Sequence, residues 1–342
     1  MRAAAVASEE SAEQGALRVL GDGGSSVDAV MAGFLAAAAE RASVLFAPVQ
    51  ALVAGPGVGA RAFDGRSRQP GKGAKRPRGF VRGAEVPAAA HVAVPASLGV
   101  LALLHAHDGR LGLHKLAAPA AARALAAGKD RRSDVISRFG SGGASVLGDP
   151  RVARPLTALA GPPEGGLLTE RDLAEVRPAG DAPQEKALGG DFAVLAVPWA
   201  AHQRAYRRAE VIAAADGRGV LAVLAYAPDD EGVVVDDLQL TLPRDAAVVQ
   251  RGIERTRPGE PLECAAPLAL VSSAGRPFLA LGVLSNRKLR VDAFADVAGG
   301  AALGASPWLA AALQACRGQA AFGVMVPAAG GDPARVVLKA AE

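Results

Sequence analysis

A short basic stretch holds the densest group of side chains that could do chemistry. Residues 61–82 contain eight cations and only one acid, Asp64. The stretch is broken by Gly and Pro, so it reads either as a solvated loop or as a contact for an anionic ligand or partner. Phe63 and Phe80 are its only aromatics, which disfavours single-stranded nucleic acid. The candidates for an anion or partner contact are Arg68, Lys72, Lys75, Arg76 and Arg78.

Signatures of metal and nucleotide sites are weak or absent. His105 and His107 are two residues apart, which points them to different faces of a helix, and with His114 they lack the acidic or thiolate partners of a metal site. The GPGVGA of residues 55–60 does not match G-x-G-x-x-G and is predicted to form a hairpin turn. The chain has neither a P-loop nor a G-x-S-x-G elbow. We therefore predict no metal and no cofactor.

Composition narrows the class of protein. The chain has 342 residues, of which 50% are hydrophobic, and a mean hydropathy of +0.20, so it can bury a large core. Its bias toward Ala, Arg, Gly and Pro is typical of a GC-rich bacterial genome. No signal-peptide region and no apolar run of the ~20 residues of a membrane span is found, which predicts a cytoplasmic protein without membrane contact. Cys264 and Cys316 are expected to be buried thiols.

The first half of the chain is predicted to be mainly helical. A short strand at residues 3–8 precedes a helix with a capping box of Ser11 and Gln14, which ends at a glycine cluster. Ser25 caps a second helix, with Asp28 near its positive end. Residues 140–150 are predicted to be a loop. Further helices are predicted at residues 97–107, 113–127, 151–160 and 169–176.

The second half changes to short β-strands. Asp216-Gly217 and residues 273–276 lie between pairs of apolar segments and are hairpin signals. Helices followed by antiparallel strand pairs predict an α+β fold, with sheets layered between helices. The segments predicted as strands are DFAVLAV, EVIAAA, GVLAVLAY, GVVVDDLQLTL, PLALVSS, PFLALGVL, AAFGVMV and RVVLK.

Several longer segments occur in a recognisable order. The most specific are SEESAEQGALRVLGDGGSSVDAVMAGFLAAAA at residues 8–39 and GLLTERDLAEVRP at residues 166–178. ARAFDGRSRQP, residues 91–128 with their Pro-centred turn, ADGRGVLAVLAY and GEPLECAAPLALVSSAGRPFLALGV follow the same order. Together these segments resemble the gamma-glutamyltranspeptidase family over most of residues 1–290, with several of the family's blocks missing.

This resemblance implies a fold and a mechanism. The fold would be the four-layer αββα sandwich of the N-terminal-nucleophile hydrolases, as a single domain of residues 1–342. Residues 1–206 would correspond to the large subunit and residues 207–342 to the small one. Enzymes of this family cleave their own chain, and the freed N-terminal Thr attacks the substrate with its own amine as base. Backbone N–H groups of a Gly pair and a neighbouring Ser pair stabilise the oxyanion.

The resemblance also implies how a substrate would be held. Arg66 matches the Arg that clamps the glutamyl carboxylate in the family, and its planar fork suits that role. The acid that would hold the substrate's amino group falls near residues 246–247, beside Asp245. The resemblance thus assigns substrate binding to Arg66 and predicts a carboxylate-bearing small molecule as ligand.

The chain departs from the family where the chemistry would take place. The position expected for the catalytic Thr falls at about Arg207, and residues 170–240 contain no Ser, Thr or Cys. Glu263-Cys264 replaces the expected Ser pair, and GVLSN at residues 282–286 replaces the Gly pair. We therefore assign no catalytic residue from the sequence and expect the chain to remain uncleaved.

Two functional hypotheses follow. The favoured one is a catalytically degenerate protein, or pseudoenzyme, that acts through a homodimer interface, a protein partner or a bound small molecule at Arg66. The alternative is an active gamma-glutamyl transferase or amide hydrolase with a relocated nucleophile. The candidate nucleophile is Cys264, with His202 or Glu263 as its base. Ser285 is the other candidate nucleophile.

Overall fold

The computed structural model describes residues 3–75, 79–199, 205–300, 304–327 and 331–340. The helices in these ranges are α1 Glu10–Gly21, α2 Ser26–Glu40, α3 Ser97–Asp108, α4 Leu113–Ala126, α5 Asp130–Gly142, α6 Pro150–Ala160, α7 Glu170–Glu175, α8 Ala295–Gly299 and α9 Ala305–Cys316. The strands are β1 Ala4–Ala7, β2 Val49–Gly55, β3 Gly59–Gly65, β4 Ala179–Asp181, β5 Gln184–Gly189, β6 Phe192–Ala196, β7 Glu210–Ala215, β8 Leu221–Tyr226, β9 Val233–Val235, β10 Leu240–Leu242, β11 Leu268–Ser273, β12 Arg276–Val283, β13 Ala320–Met325 and β14 Ala334–Lys339. None of the helices in these ranges is both long enough and apolar enough to cross a bilayer.

Two six-stranded antiparallel sheets form the middle of the molecule. The first has the strand order β1-β7-β8-β2-β3-β4, and the second has the order β14-β13-β12-β11-β6-β5. Strands β9 and β10 pair with each other in a separate ribbon. Because β7 lies between β1 and β8, the first sheet joins the N-terminal strand to strands from the second half of the chain.

Side chains alternate between the two faces of each sheet, and this alternation creates the layers. In β7, Ile212 and Ala214 pack against the helices, whereas Val211 and Ala213 face the second sheet. The second sheet repeats the pattern and carries α8 and α9 on its outer face. The order of layers is therefore helix, sheet, sheet, helix, which confirms the predicted α+β fold with an αββα sandwich.

Helix α2 is surrounded on all sides, because small residues let its neighbours approach closely. Every residue from Ser26 to Ala39 is buried. A Cβ atom on Gly33 would lie 2.7 Å from the carbonyl oxygen of Ala12 in α1, and one on Gly15 would lie 2.9 Å from that of Ala32. The two helices thus need glycine where their backbones meet.

Local signals predicted most element boundaries. The four further helices begin and end within two residues of their expected limits, and the hairpins at residues 55–60, 216–217 and 273–276 are confirmed. The predicted Ser25 cap of α2 is also confirmed, and the structure extends it to a capping box: the Ser25 Oγ accepts from the Asp28 backbone N–H at 3.1 Å, and the Ser25 N–H donates to Asp28 Oδ2 at 2.9 Å.

Three local predictions were wrong. Helix α1 begins at Glu10 rather than at Ser11, and its N-cap residue, Glu9, makes no side-chain cap. The predicted loop at residues 140–150 is the end of α5, a 3-10 helix and the start of α6. GVVVDDLQLTL is not one strand, since a 3-10 turn and Gln239, at φ +52°, fold it into the β9–β10 ribbon.

Candidate functional site

The chain enters β7 through Arg207, whose guanidinium is held by acidic groups. Its Nη2 donates to Asp245, its Nη1 lies 3.6 Å from Asp229 Oδ2, and its Nε donates to the carbonyl oxygen of Ala227 at 3.4 Å. The Ser67 hydroxyl donates to Asp245 as well, at 2.7 Å. The side chains of Arg207 and Asp245 are only 18% and 7% exposed. A closed ion pair therefore occupies the N-terminal end of β7.

The surroundings of Asp245 disfavour its charged form. Burial raises the pKa of the Asp245 carboxyl, and the nearby Asp229 adds to that effect. Arg207 and the hydrogen bond from Ser67 oppose the rise without cancelling it. The carboxylate of Asp245 consequently depends on Arg207 for its charge.

Arg66 lies at the adjacent end of β3 and is already paired. Its Nε and Nη2 donate to the two oxygens of Asp64 at 2.9 and 3.0 Å, and its guanidinium lies 5.6 Å from the centre of the Trp199 ring. The Trp199 indole donates to Gln50, whose amide donates to the carbonyl oxygen of Ala265 at 2.8 Å. Among the nitrogens of the Arg66 guanidinium, only Nη1 donates no hydrogen bond to a residue that the structure describes.

Cys264 and Ser285, the two candidates for a relocated nucleophile, are held in inactive surroundings. Burial raises the pKa of the Cys264 thiol to about 12, so it stays protonated at neutral pH. Its Sγ points a weak hydrogen bond at the carbonyl oxygen of Ala265, 3.4 Å away. The Ser285 hydroxyl is buried and donates to the carbonyl oxygen of Cys316 at 2.9 Å. His202, a candidate base, lies outside the described residues.

An open cleft of about 1060 Å³ borders the Arg207–Asp245 pair. Tyr206, 93% exposed, lies at this cleft. Acidic side chains outnumber basic ones, so the cleft favours positive charge. Its charged side chains are five carboxylates, Asp229, Asp230, Glu231, Asp245 and Glu263, and two guanidiniums, Arg207 and Arg244.

The described cations of the basic stretch lie in different surroundings. Arg68 is buried beside Arg66, with both guanidiniums at Asp64, and Lys72 contacts the end of α7. Lys75 is exposed. The remaining two candidates of the stretch, Arg76 and Arg78, lie outside the described residues.

The histidines near α3 serve local contacts. His105 Nε2 lies 2.7 Å from the carbonyl oxygen of Leu111, and the ring of His107 packs against Phe63. Burial lowers the pKa of His107. Within the described ranges, no group of three or more His, Cys, Asp or Glu side chains is arranged to hold a metal ion.

The whole chain was compared with protein families, curated proteins and solved structures. No family model and no curated protein matches the chain, but solved structures do. LmbA superposes with a TM-score of 0.70 and 14% identity, over 99% of this chain and 98% of that one. Cephalosporin acylase from Bacillus halodurans superposes with a TM-score of 0.66 and 15% identity, over 83% of this chain and 77% of that one. Gamma-glutamyltranspeptidase from Pseudomonas nitroreducens superposes with a TM-score of 0.48 and 20% identity, over 57% of this chain and 71% of that one.

The chain has the N-terminal-nucleophile hydrolase fold. The likeness to LmbA spans almost the whole of both chains, so the fold expected from the transpeptidase resemblance is confirmed. At these identities the likeness establishes the fold and not the activity. The chemistry must therefore be argued from the residues at the start of β7.

Sequence reasoning missed several side chains that build this region. Trp199 stacks on Arg66, Gln50 ties that indole to the loop before β11, and Asp64 holds the Arg66 fork. Trp199 carried a usable signal, because the chain has only two Trp residues and this one lies three residues after the end of a strand. Gln50 carried none, since it lies within an apolar strand and its partners are distant in sequence.

Proposed function

We propose that this chain is a catalytically silent form of the N-terminal-nucleophile hydrolase fold, which binds a small polar molecule in the cleft beside β7. The observation that carries the proposal is the Arg207–Asp245 pair at the N-terminal end of β7. In the family that the sequence resembles, this end of the strand supplies the attacking hydroxyl and its own amine base. A guanidinium is neither a nucleophile nor a base at neutral pH.

The neighbouring groups support loss of covalent catalysis. Residues 170–240 contain no Ser, Thr or Cys, so a shift of register cannot bring a nucleophile to this end of β7. Cys264, the best substitute, has a protonated thiol because burial raises its pKa to about 12. Removing the nucleophile from such a constellation abolishes nearly all covalent turnover.

The charge of the cleft lining indicates which class of ligand would bind there. Five carboxylates against two guanidiniums attract an amine or another small cation. Arg66 predicts a carboxylate-bearing ligand instead, and its fork is already bonded to Asp64. We therefore propose a small cationic or zwitterionic ligand. The homodimer or protein partner and the cytoplasmic location stay predictions of the sequence.

Mass and activity measurements test this proposal together. The purified 342-residue chain should keep its undivided mass of 34.4 kDa and should not hydrolyse gamma-glutamyl p-nitroanilide or an acylated cephalosporin above the blank rate. Cleavage near Arg207 would contradict the proposal. So would turnover that Cys264→Ala abolishes while Cys316→Ala, a change to the other buried thiol, leaves it intact.

A further inference from the structure

A small cavity of about 90 Å³ lies between the Arg68 segment and the end of α7. Its charged lining consists of the cations Arg68, Lys72 and Arg177 and the carboxylates Asp172 and Glu175. A cavity of this size has room for several waters or for one tetrahedral oxyanion. It shares no lining residue with the cleft beside β7.

Arg68 contributes a buried guanidinium to the lining of this cavity. The residue is 6% exposed, and its backbone is fixed by two hydrogen bonds of 2.9 Å with Val94. Its Nη2 donates to the carbonyl oxygen of Asp64 at 3.2 Å. Its Nη1 is 3.2 Å from Asp64 Oδ2, but it has no aligned acceptor among the residues that the structure describes. Nη1 is thus paired with Asp64 by charge but not by an aligned hydrogen bond.

Positive charge exceeds negative charge on this side of the cavity. The Asp64 carboxylate is shared by two guanidiniums, since Arg66 bonds both of its oxygens and Arg68 lies against one of them. Burial lowers the pKa of Arg68, and the charge of Arg66 adds to that effect, although Asp64 opposes it. One carboxylate therefore balances two cations.

The carboxylates on the opposite wall are also in use. Asp172 accepts from the backbone N–H groups of Gly71 and Lys72 at 2.9 Å and from Thr169 at 3.0 Å. Glu175 accepts from Arg171 at 2.7 Å, and its Oε2 lies 3.8 Å from the ammonium of Lys72. The lining has three cations against two carboxylates, so one positive charge is in excess.

We infer that this cavity is a binding site for a small oxyanion, such as inorganic phosphate, sulfate or the phosphate of a small monoester. The buried guanidinium of Arg68 lines the cavity and contributes positive charge. Lys72 contributes an ammonium from the segment after β3, where its Nζ donates to the carbonyl oxygen of Glu175 at 3.3 Å. Arg177 contributes an exposed guanidinium whose Nη1 donates to the carbonyl oxygens of Ala174 and Val176, while its Nε and Nη2 have no partner among the described residues.

Calorimetric titration with sodium phosphate, against sodium chloride at equal ionic strength, tests the site. Wild-type protein should show saturable phosphate binding. Arg177→Ala and Lys72→Ala should each weaken that binding about tenfold, the loss expected for one charge-assisted hydrogen bond. Lys75→Ala is the matched control, because Lys75 is an exposed cation of the same stretch outside the cavity lining.

The outcomes separate a built site from general attraction to positive charge. Binding that Lys75→Ala reduces as much as Arg177→Ala does would overturn the inference, as would a phosphate response no larger than that to chloride. Glycerol 3-phosphate identifies the source of the anion. Tighter binding of the ester than of inorganic phosphate indicates a phosphorylated metabolite, and the reverse order indicates the free ion. Neither result depends on whether the cleft beside β7 binds a ligand.

Discussion

Arg207 and Asp245 form an ion pair that fixes the entry of β7 to the segment following β10. The two residues are 38 positions apart, and their pairing brings a cation to the end of a strand that runs through the middle of the first sheet. Ser67 and Asp229 complete the contacts around them. The polar interior at this end of the sandwich is thus satisfied within the chain itself.

Removing the cation of this pair should destabilise the protein. Arg207→Ala leaves Asp245 and Asp229 facing each other with little solvent, and breaking such a pair should lower the free energy of unfolding by about 3 kcal/mol. Urea denaturation measures the change. Arg208→Ala is the control, because Arg208 is 43% exposed and surface pairs contribute ~1 kcal/mol or less.

A double-mutant cycle distinguishes the pair from packing by the Arg207 stem. In Asp245→Asn the carboxylate is replaced by a neutral amide, so the further loss on adding Arg207→Ala should be smaller by at least ~1 kcal/mol. Strict additivity of the two changes would show that the two side chains contribute independently.

The charge of the cleft can be tested with two ligands of equal length. We expect 1,5-diaminopentane to bind more tightly than glutarate in low-salt calorimetry, because carboxylates dominate the lining. Glu231→Gln and Glu263→Gln should each weaken diamine binding on the order of threefold, as for an exposed ion pair. Glu164→Gln, an exposed acid elsewhere, should have no effect. Tighter glutarate binding that Arg66→Gln removes would instead support the carboxylate ligand.

Glu210, the first residue of β7, should make stability depend on pH. Burial raises the pKa of this carboxyl above its ordinary value of 4.5, and the neighbouring Glu9 adds to the rise. The folded state therefore binds the proton more tightly than the unfolded state, and stability falls as pH rises above 4.5 toward the folded pKa. Glu210→Gln should be more stable than wild type at pH 7 and should lose that advantage near pH 4.

Unfolding midpoints in urea between pH 4 and pH 8 measure this difference. Glu85→Gln provides the control, because Glu85 is exposed and its charge is solvated. The two variants should diverge as the pH rises. Parallel curves for Glu210→Gln and wild type would show that the Glu210 carboxyl titrates normally.

The layers were predictable because their signals are local. Short apolar segments marked the strands, and N-cap residues such as Ser25 marked helix starts. Helix α5 was missed because its stabilisation is tertiary. Its buried Arg132 donates to the carbonyl oxygens of Ala39 and Glu40 at the end of α2, and no spacing in the sequence predicts that contact.

The candidate site was predictable in part. The resemblance pointed to the two residues separately. Arg207 falls at about the position expected for the catalytic Thr, and Asp245 lies beside the position expected for the acid that holds the substrate's amino group. Their pairing required the closed fold, since it depends on how the segments before β7 and after β10 meet. The sequence did not predict that Arg66 and Arg68 share Asp64 either, because this sharing depends on the direction in which the two side chains point.

The contact between α1 and α2 should be sensitive to a single methyl group. In Gly33→Ala the new Cβ would lie 2.7 Å from the carbonyl oxygen of Ala12 and 3.1 Å from Cδ1 of Ile212, so helix and sheet must shift. We expect a loss of about 1–3 kcal/mol in urea denaturation, despite the better helix propensity of Ala. Gly21→Ala, at the end of α1, meets nothing within 4 Å and should be neutral or stabilising by up to ~1 kcal/mol. Equal effects of the two changes would show that the helices do not require this close approach.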